Sequence, residues 1–194
     1  MNGVSQISSL NQEREVKIAI QDADSARTLI MASEFQEVTP RHLEINEVYD
    51  TRDKSIRGRG ELLRLRQAGS RHILTFKGKS DSSSTHKVRE ELEVITSNGV
   101  TTAAILNRLG FQSLFRYEKY RTEFSKPNQP GIVVLDETPI GNFLELEGDA
   151  EWIDQTAVLL GYSTAHYITS SYGKLYTDLC IRLGIDPTNM IFAK

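Results

Sequence analysis

The sequence lacks most of the features that announce chemistry from composition alone. It has one cysteine, Cys180, in 194 residues, which excludes an intramolecular disulfide and a cysteine-built metal centre. Its neighbours Leu179 and Ile181 mark it as a plain buried thiol. No apolar run approaches the roughly 20 residues of a helical membrane span. The opening residues carry no basic segment followed by an apolar one, so no secretory signal is expected. A cytoplasmic protein without membrane contact is the expectation. An excess of one charge is also missing: 23 Lys and Arg stand against 26 Asp and Glu, a net charge of −3. Bulk attraction to nucleic acid is therefore not expected, and any anion site must come from local arrangement. The chain has no phosphate-binding glycine loop followed by Lys-Ser/Thr; Gly58-Arg59-Gly60 is too short a match. His42, His72, His86 and His166 show no metal-ligand spacing and read as ordinary polar residues.

What the chain does have is charge on alternate positions of strand after strand. In Glu13-Arg14-Glu15-Val16-Lys17-Ile18 the residues Glu13, Glu15 and Lys17 share one side of an extended segment. Near the other end Leu144 and Leu146 alternate with Glu145 and Glu147. Between them come Arg64 and Arg66 in LLRLR, Lys77 in LTFKGK, and Arg89, Glu91 and Glu93 in VREELEV. A lone Glu-x-Glu is usually a solvated sheet face. A solvated face, however, mixes Ser, Thr, Asn and Gln with charge, whereas these positions are mainly Glu, Asp, Arg and Lys. An unpaired buried charge costs several kcal/mol, so a shared charged interior requires pairing around water, metal or ligand.

The order of segments supports a ring of strands. Residues 1–11 are polar and are expected to be flexible, leaving 12–194 as a single domain with its own core. Strands are expected over 13–20, 42–51, 61–67, 72–77, 87–96, 113–126, 132–136 and 143–147, with a hairpin around Ala68-Gly69-Ser70. Arg52 to Gly60 reads as a basic connection, with Arg52, Lys54, Arg57 and Arg59 solvated, and Ser80 to Thr85 as a mobile loop. A first helix follows the capping residues Asp22 and Asp24. Others are expected over 98–109, burying Ala103, Ile105, Leu106 and Leu109, then over 149–160 and 166–183. The fold class is α+β: an eight-stranded, mostly antiparallel β-barrel with flanking helices. Eight strands enclose a lumen wide enough for side chains or one small ligand.

The residue types fit one kind of work. Carboxylate pairs supply hard oxygen ligands for Mg2+ or Mn2+. Arg and Lys opposite them clamp phosphate oxygens, Arg through a planar fork. Together they suit phosphoryl transfer, with water or a substrate hydroxyl as nucleophile.

These motifs, in order, resemble the CYTH superfamily, the triphosphate tunnel metalloenzymes. Glu13-x-Glu15-x-Lys17 is similar to its opening motif. Val48-Tyr49-Asp50-Thr51, Gly60 and Leu63-Arg64-Leu65-Arg66 resemble the next two strands. Leu74-Thr75-Phe76-Lys77-Gly78, Val88 to Glu93, and Glu118-Lys119-Tyr120-Arg121 resemble those that follow. Leu135-Asp136-Glu137 and Gly141 to Glu147 look like the acidic strands that close the site, and Ser171 to Leu175 like the C-terminal Ser-Tyr helix. The resemblance spans roughly residues 12 to 180.

The resemblance implies a triphosphate-binding tunnel that works with Mg2+ or Mn2+. Glu13, Glu15, Glu145 and Glu147 would hold metal, and Asp136 would be a further acidic ligand or would orient water. Catalysis would rest on Glu13, Glu15, Asp136 and Glu145. Lys17, Arg64, Arg66, Lys77, Arg89, Lys119 and Arg121 would grip the triphosphate. Glu91 and Glu93 would be metal-side ligands or salt-bridge partners, the second role being favoured for Glu93. Tyr49 would pack or hydrogen-bond at the mouth, or equally belong to the core; Trp152 and Tyr172 are expected to pack. The implied activity is hydrolysis of inorganic triphosphate or an organic triphosphate, such as ATP or thiamine triphosphate. The alternatives are a class IV adenylate cyclase that forms cyclic AMP and pyrophosphate, and a non-catalytic polyphosphate-binding module. The related cyclases form homodimers; no heptad or apolar stripe here fixes such an interface.

Overall fold

The computed structural model of the chain describes residues 12–81 and 85–193. The expected flexible N-terminus, and Ser82 to Ser84 of the serine-rich loop, lie outside these. Eight strands form a closed barrel: β1 (Gln12–Ile20), β2 (Gln36–Thr51), β3 (Leu62–Ala68), β4 (Arg71–Lys77), β5 (Lys87–Thr96), β6 (Phe111–Ser125), β7 (Ile132–Thr138) and β8 (Gly141–Glu147). Around the ring the order is β1-β5-β4-β3-β2-β6-β7-β8. Every neighbouring pair is antiparallel. β1 closes the ring, with Glu13 opposite Arg89 and Glu15 opposite Lys87 on β5, and Lys17 opposite Glu145 on β8.

The apolar faces point outward and are covered by helices α1 (Ala23–Ala32), α3 (Gly99–Arg108) and α4 (Ala150–Leu159). Val16, Ile18, Val133, Leu135, Leu144 and Leu146 pack with Ala26 and Ile30 of α1 and with Ile153 and Ala157 of α4. Each fully buried Val, Leu or Ile contributes about 1.5–3 kcal/mol. That outer layer, rather than the charged lumen, drives closure. Asp22 and Asp149 cap α1 and α4 by accepting from Ser25 N and Trp152 N. Trp152 is itself part of this core, and its indole donates to Gln129. Tyr49 belongs to the smaller layer beneath α3, with Leu65 and Leu106.

Three elements differ from the sequence expectation. β2 starts at Gln36 rather than His42, and it carries Pro40 at a register shift between Thr39 and His42. A bulge is where a strand tolerates proline. In α3 only Leu106 of the four expected residues is buried; Ile105 is 54% and Leu109 68% exposed. The helix meets the barrel along a narrow strip. The last helix, α5 (Tyr172–Leu183), starts six residues later than expected. A 3-10 turn covers Thr164–His166, and Ile168 then pairs with Lys17 through two backbone bonds of 2.8 and 3.0 Å. Ser171, not a residue near His166, caps α5.

β6 pairs with β2 along its whole length, but β7 joins it only from Tyr120 onward. The tail beyond α5 covers part of that edge. Glu118 N donates to Met190 O at 2.9 Å and Met190 N to Arg116 O at 3.0 Å. Met190 is buried there with Tyr117, Phe143 and Tyr172.

Candidate active site

The inward positions of the strands line a cavity of about 920 Å³ inside the barrel. Glu13, Glu15 and Lys17 reach it from β1, Arg64 and Arg66 from β3, and Lys77 from β4. Arg89 comes from β5, Lys119 and Arg121 from β6, and Glu145 and Glu147 from β8. Strict strand alternation brings these residues together, since those that share a strand are two residues apart.

Their charges are paired into a continuous network. Lys17 lies 3.0 Å from both Glu15 and Glu145. Lys77 lies 2.5 Å from Glu13 and 3.0 Å from Glu91. Arg66 bridges Glu44 at 3.1 Å and Glu93 at 3.0 Å. Arg64 donates to Tyr117 Oη at 3.2 Å and to Thr75 Oγ1 at 3.3 Å. Arg121 pairs with Glu145 and with Asp136. Glu93 also accepts from Thr75 Oγ1, which makes it a partner that fixes the basic residues.

Burial and charge act against each other here. Burial alone would raise the Glu15 carboxyl, but Lys17 and Lys87 hold it below its ordinary value. Glu145 is likewise held low against burial by Lys17, Lys119 and Arg121. Glu147 behaves oppositely. Burial, joined by the charges of Glu145, Glu13 and Glu15, pushes it up to about 8 despite Arg121. Glu91 rises to about 7 through burial and Glu13, against the pull of Lys77.

One oxygen from each of Glu13, Glu15 and Glu147 can lie within 4.8 Å of the others, the one such acidic group among the described residues. Three hard oxygens fit Mg2+ or Mn2+. A divalent charge at that point also offsets the repulsion that keeps Glu147 protonated. The donor set therefore suits the metal implied by the sequence. Glu145 is not in that group; it is engaged by Lys17 and Arg121.

Asp136 stands behind the cavity wall rather than on it. Its carboxylate is wholly buried. It accepts from Lys119 Nζ at 2.8 Å, from Arg121 Nε and Nη2 at 2.9 and 2.8 Å, and from Tyr172 Oη at 2.8 Å. In this position it pairs with two of the cations of the lumen and is not among the residues that line the cavity. Tyr172 is packed, as expected; burial and Asp136 raise its phenol well above the ordinary value, so it stays protonated.

Four inward residues escaped the sequence reading. Lys87 lines the cavity and lies 2.5 Å from Glu15; burial and Lys17 push its ammonium down to about 8. Its signal was the same alternation that marks Arg89. Glu44 is buried beneath Arg66 and Lys119. Asn46, two residues on, is fully buried with neither amide atom hydrogen-bonded. Tyr117 carries Arg64. Lys54 and Arg57, read as solvated, line one mouth of the cavity. Lys54 caps the start of the short helix α2 (Ser55–Gly58) and Arg57 lies within it; Asp50 holds this helix by accepting from Ile56 N and Arg57 N.

Comparison with known proteins places this site in context. Among curated proteins none matches the chain. In fold it is similar to a candidate adenylate cyclase from Vibrio parahaemolyticus, at 18% identity and a TM-score of 0.74, over 85% of this chain and 97% of that one. A conserved hypothetical protein from Pyrococcus furiosus matches at 21% identity and a TM-score of 0.69, over 82% and 97% of the two chains. A candidate adenylyl cyclase from Hippeastrum, which reveals a dominant triphosphatase activity, matches at 18% and 0.61, over 92% and 98%. The sequence pattern of the CYTH domain matches residues 11–172, which cover all eight strands and the charged residues that the strands turn into the lumen, and the chain belongs to the CYTH family.

Proposed function

We propose that the protein is a metal-dependent phosphohydrolase that holds inorganic triphosphate, or an organic triphosphate, in the barrel tunnel. One observation carries the reading. Lys17, Arg64, Arg66, Lys77, Lys87, Arg89, Lys119 and Arg121 share one enclosed lumen with the acidic group Glu13, Glu15 and Glu147. Eight cations converging in a space of this size match a chain of linked phosphates better than any neutral ligand.

The residues divide the work by position. Glu13, Glu15 and Glu147 would hold Mg2+ or Mn2+, which polarises phosphoryl oxygens when bound. Arg64 and Arg66 would bind phosphate oxygens from one side and Lys77 and Arg89 from the next. Arg64, Arg66 and Arg89 each keep an Nε without a hydrogen-bond partner, so these guanidinium groups have donor capacity left over. Lys119 and Arg121 are held by Asp136 and would face the oxygens on the opposite wall. Enclosure by the barrel excludes bulk water and strengthens each of these contacts.

A second reading is cyclisation of ATP, supported by likeness in fold to candidate adenylate cyclases. Hydrolysis stands first because the Hippeastrum relative has a dominant triphosphatase activity. The deciding experiment incubates the protein with Mg2+ or Mn2+ and either tripolyphosphate or ATP, and analyses the products. Metal-dependent orthophosphate release supports the hydrolase. Equal yields of cyclic AMP and pyrophosphate replace it with the cyclase. Tight binding with no turnover of either leaves a polyphosphate-binding module.

A further inference from the structure

An unpaired amide sits behind the basic wall of the lumen. Asn46 is fully buried, and among the described residues neither its Oδ1 nor its Nδ2 has a hydrogen-bond partner. Buried polar groups are almost always paired, and one that is not carries the full cost of its desolvation. A leucine or valine would fill the same place on β2 without that cost.

The neighbours of Asn46 belong to the proposed phosphate clamp. On β2 it shares the lumen face with Glu44, two residues away. Across the sheet it stands opposite Arg66 on β3 and Tyr117 on β6. Directly opposed side chains of a sheet lie close enough to interact. Arg66 donates from Nη1 to Glu44 Oε1 at 3.1 Å, and Tyr117 accepts from Arg64.

Two of these neighbours are incompletely satisfied as well. Arg66 Nε and Glu44 Oε2 are buried without a hydrogen-bond partner among the described residues, and Oε2 faces the Lys119 ammonium at 3.6 Å. Burial would raise the Glu44 carboxyl, but Lys119 and Arg121 hold it well below its ordinary value, so it stays an anion that can accept. The unpaired atoms are complementary. Arg66 Nε and Asn46 Nδ2 are donors; Asn46 Oδ1 and Glu44 Oε2 are acceptors. Arg66 Nη1 is engaged by Glu44, so a phosphate oxygen that takes this donor strips Glu44 of it. Asn46 is the side chain placed to make good that loss.

We propose that Asn46 is a positioning residue of the clamp: as a phosphate oxygen takes Nη1 of Arg66 from Glu44, Asn46 accepts from Arg66 Nε and donates to Glu44 Oε2. The exchange lets Arg66 leave its carboxylate without stranding a buried charge. The inference rests on the triphosphate reading above. It assigns no contact between Asn46 and the ligand, since Asn46 is not among the residues that line the cavity.

The test compares the wild type with Asn46→Leu in three measurements. Calorimetry gives the affinity for tripolyphosphate with Mg2+ at low temperature and the affinity for Mg2+ alone; urea unfolding gives the stability of the protein without ligand. Tripolyphosphate binding should weaken by roughly 10- to 150-fold, the worth of one hydrogen bond to a charged group. Mg2+ binding should not change, because β2 stands across the ring from β1, four strands away in either direction. The urea midpoint should stay the same or rise, since an apolar group replaces an unpaired amide. A merely structural asparagine would not lose affinity while keeping stability. Asn46→Val, with a side chain suited to a strand, should read the same way and covers the case in which leucine does not fit. Unchanged tripolyphosphate affinity, or affinity and urea midpoint falling together in both variants, overturns the inference and leaves the triphosphate site standing. Failure of the wild type to bind tripolyphosphate overturns the triphosphate reading itself.

Discussion

Replacing Asp136 by Asn tests whether the wall of the tunnel is held from behind. The carboxylate is fully buried and accepts from Lys119 Nζ, Arg121 Nε, Arg121 Nη2 and Tyr172 Oη. Asparagine keeps the shape and one acceptor oxygen, but it loses the charge and turns an NH2 toward guanidinium donors. Removing one partner of a buried ion pair costs about 3–5 kcal/mol. Against a typical total stability of about 5–15 kcal/mol, that loss is large but leaves a folded protein. With a urea slope near 2 kcal/mol per molar, the midpoint should fall by roughly 1.5–2.5 M. The sole tryptophan, Trp152, sits in the outer core and reports unfolding by fluorescence. The same variant should bind Mg2+ with nearly wild-type affinity, because Asp136 does not line the cavity. A loss below about 1 kcal/mol would refute the supporting role, since it would mean the two cations are compensated elsewhere. A large loss of metal affinity at unchanged stability would restore Asp136 as a direct ligand.

Glu13→Gln should abolish metal-dependent turnover by more than the roughly 10- to 100-fold that changes in outer-shell partners cost, while circular dichroism shows a folded barrel; full turnover would remove Glu13 from the site. Arg64→Ala should weaken triphosphate binding by roughly 10- to 150-fold, the worth of one charge-assisted hydrogen bond of about 1.5–3 kcal/mol; unchanged affinity counts against its clamp role. Glu147, pushed up to about 8 by burial, is mostly protonated at pH 7, so Mg2+ binding should release a proton there and strengthen as pH rises toward 8. Calorimetry in buffers of different ionisation heat measures the released proton, and its absence at pH 7 would contradict the assignment. Because this carboxyl titrates above its unfolded value, its contribution to stability is present below pH 4.5 and is lost as pH rises through about 8. Glu147→Gln should therefore unfold at higher urea than the wild type at pH 9, and an equal or lower midpoint there would refute the shift.

Much of the lumen was legible because a strand leaves no choice of face. Once Glu13 points inward, Glu15 and Lys17 must follow, and the same rule places Arg64 with Arg66 and Glu145 with Glu147. Lys87 and Glu44 obey that rule as well. They were missed because each sits near the start of its strand's readable pattern, where the alternation has few members. Asp136 shows the limit of the rule. Alternation gives its face, but only the packing of Tyr172 and Arg121 over it decides that its carboxylate is buried behind the lining of the cavity. The late start of α5 was hidden for a similar reason. Residues 167–171 are not helical because Ile168 pairs with Lys17, a contact across most of the chain that no local pattern reports. In α3 the apolar spacing gave the helix correctly and its buried face too generously, because a helix lying on a curved barrel touches it along one line.

The position of β1 in the ring has a consequence for how the chain folds. It is made early, yet its two partners are β5 and β8, and β8 is the last strand made. Until β8 exists the sheet is an open ribbon with bare edges and unpaired charges along one face. Contacts so distant in sequence make folding slow, and exposed edges invite pairing with other chains in the meantime. The barrel cannot assemble strand by strand as it is synthesised; its final seam waits for the end of β8.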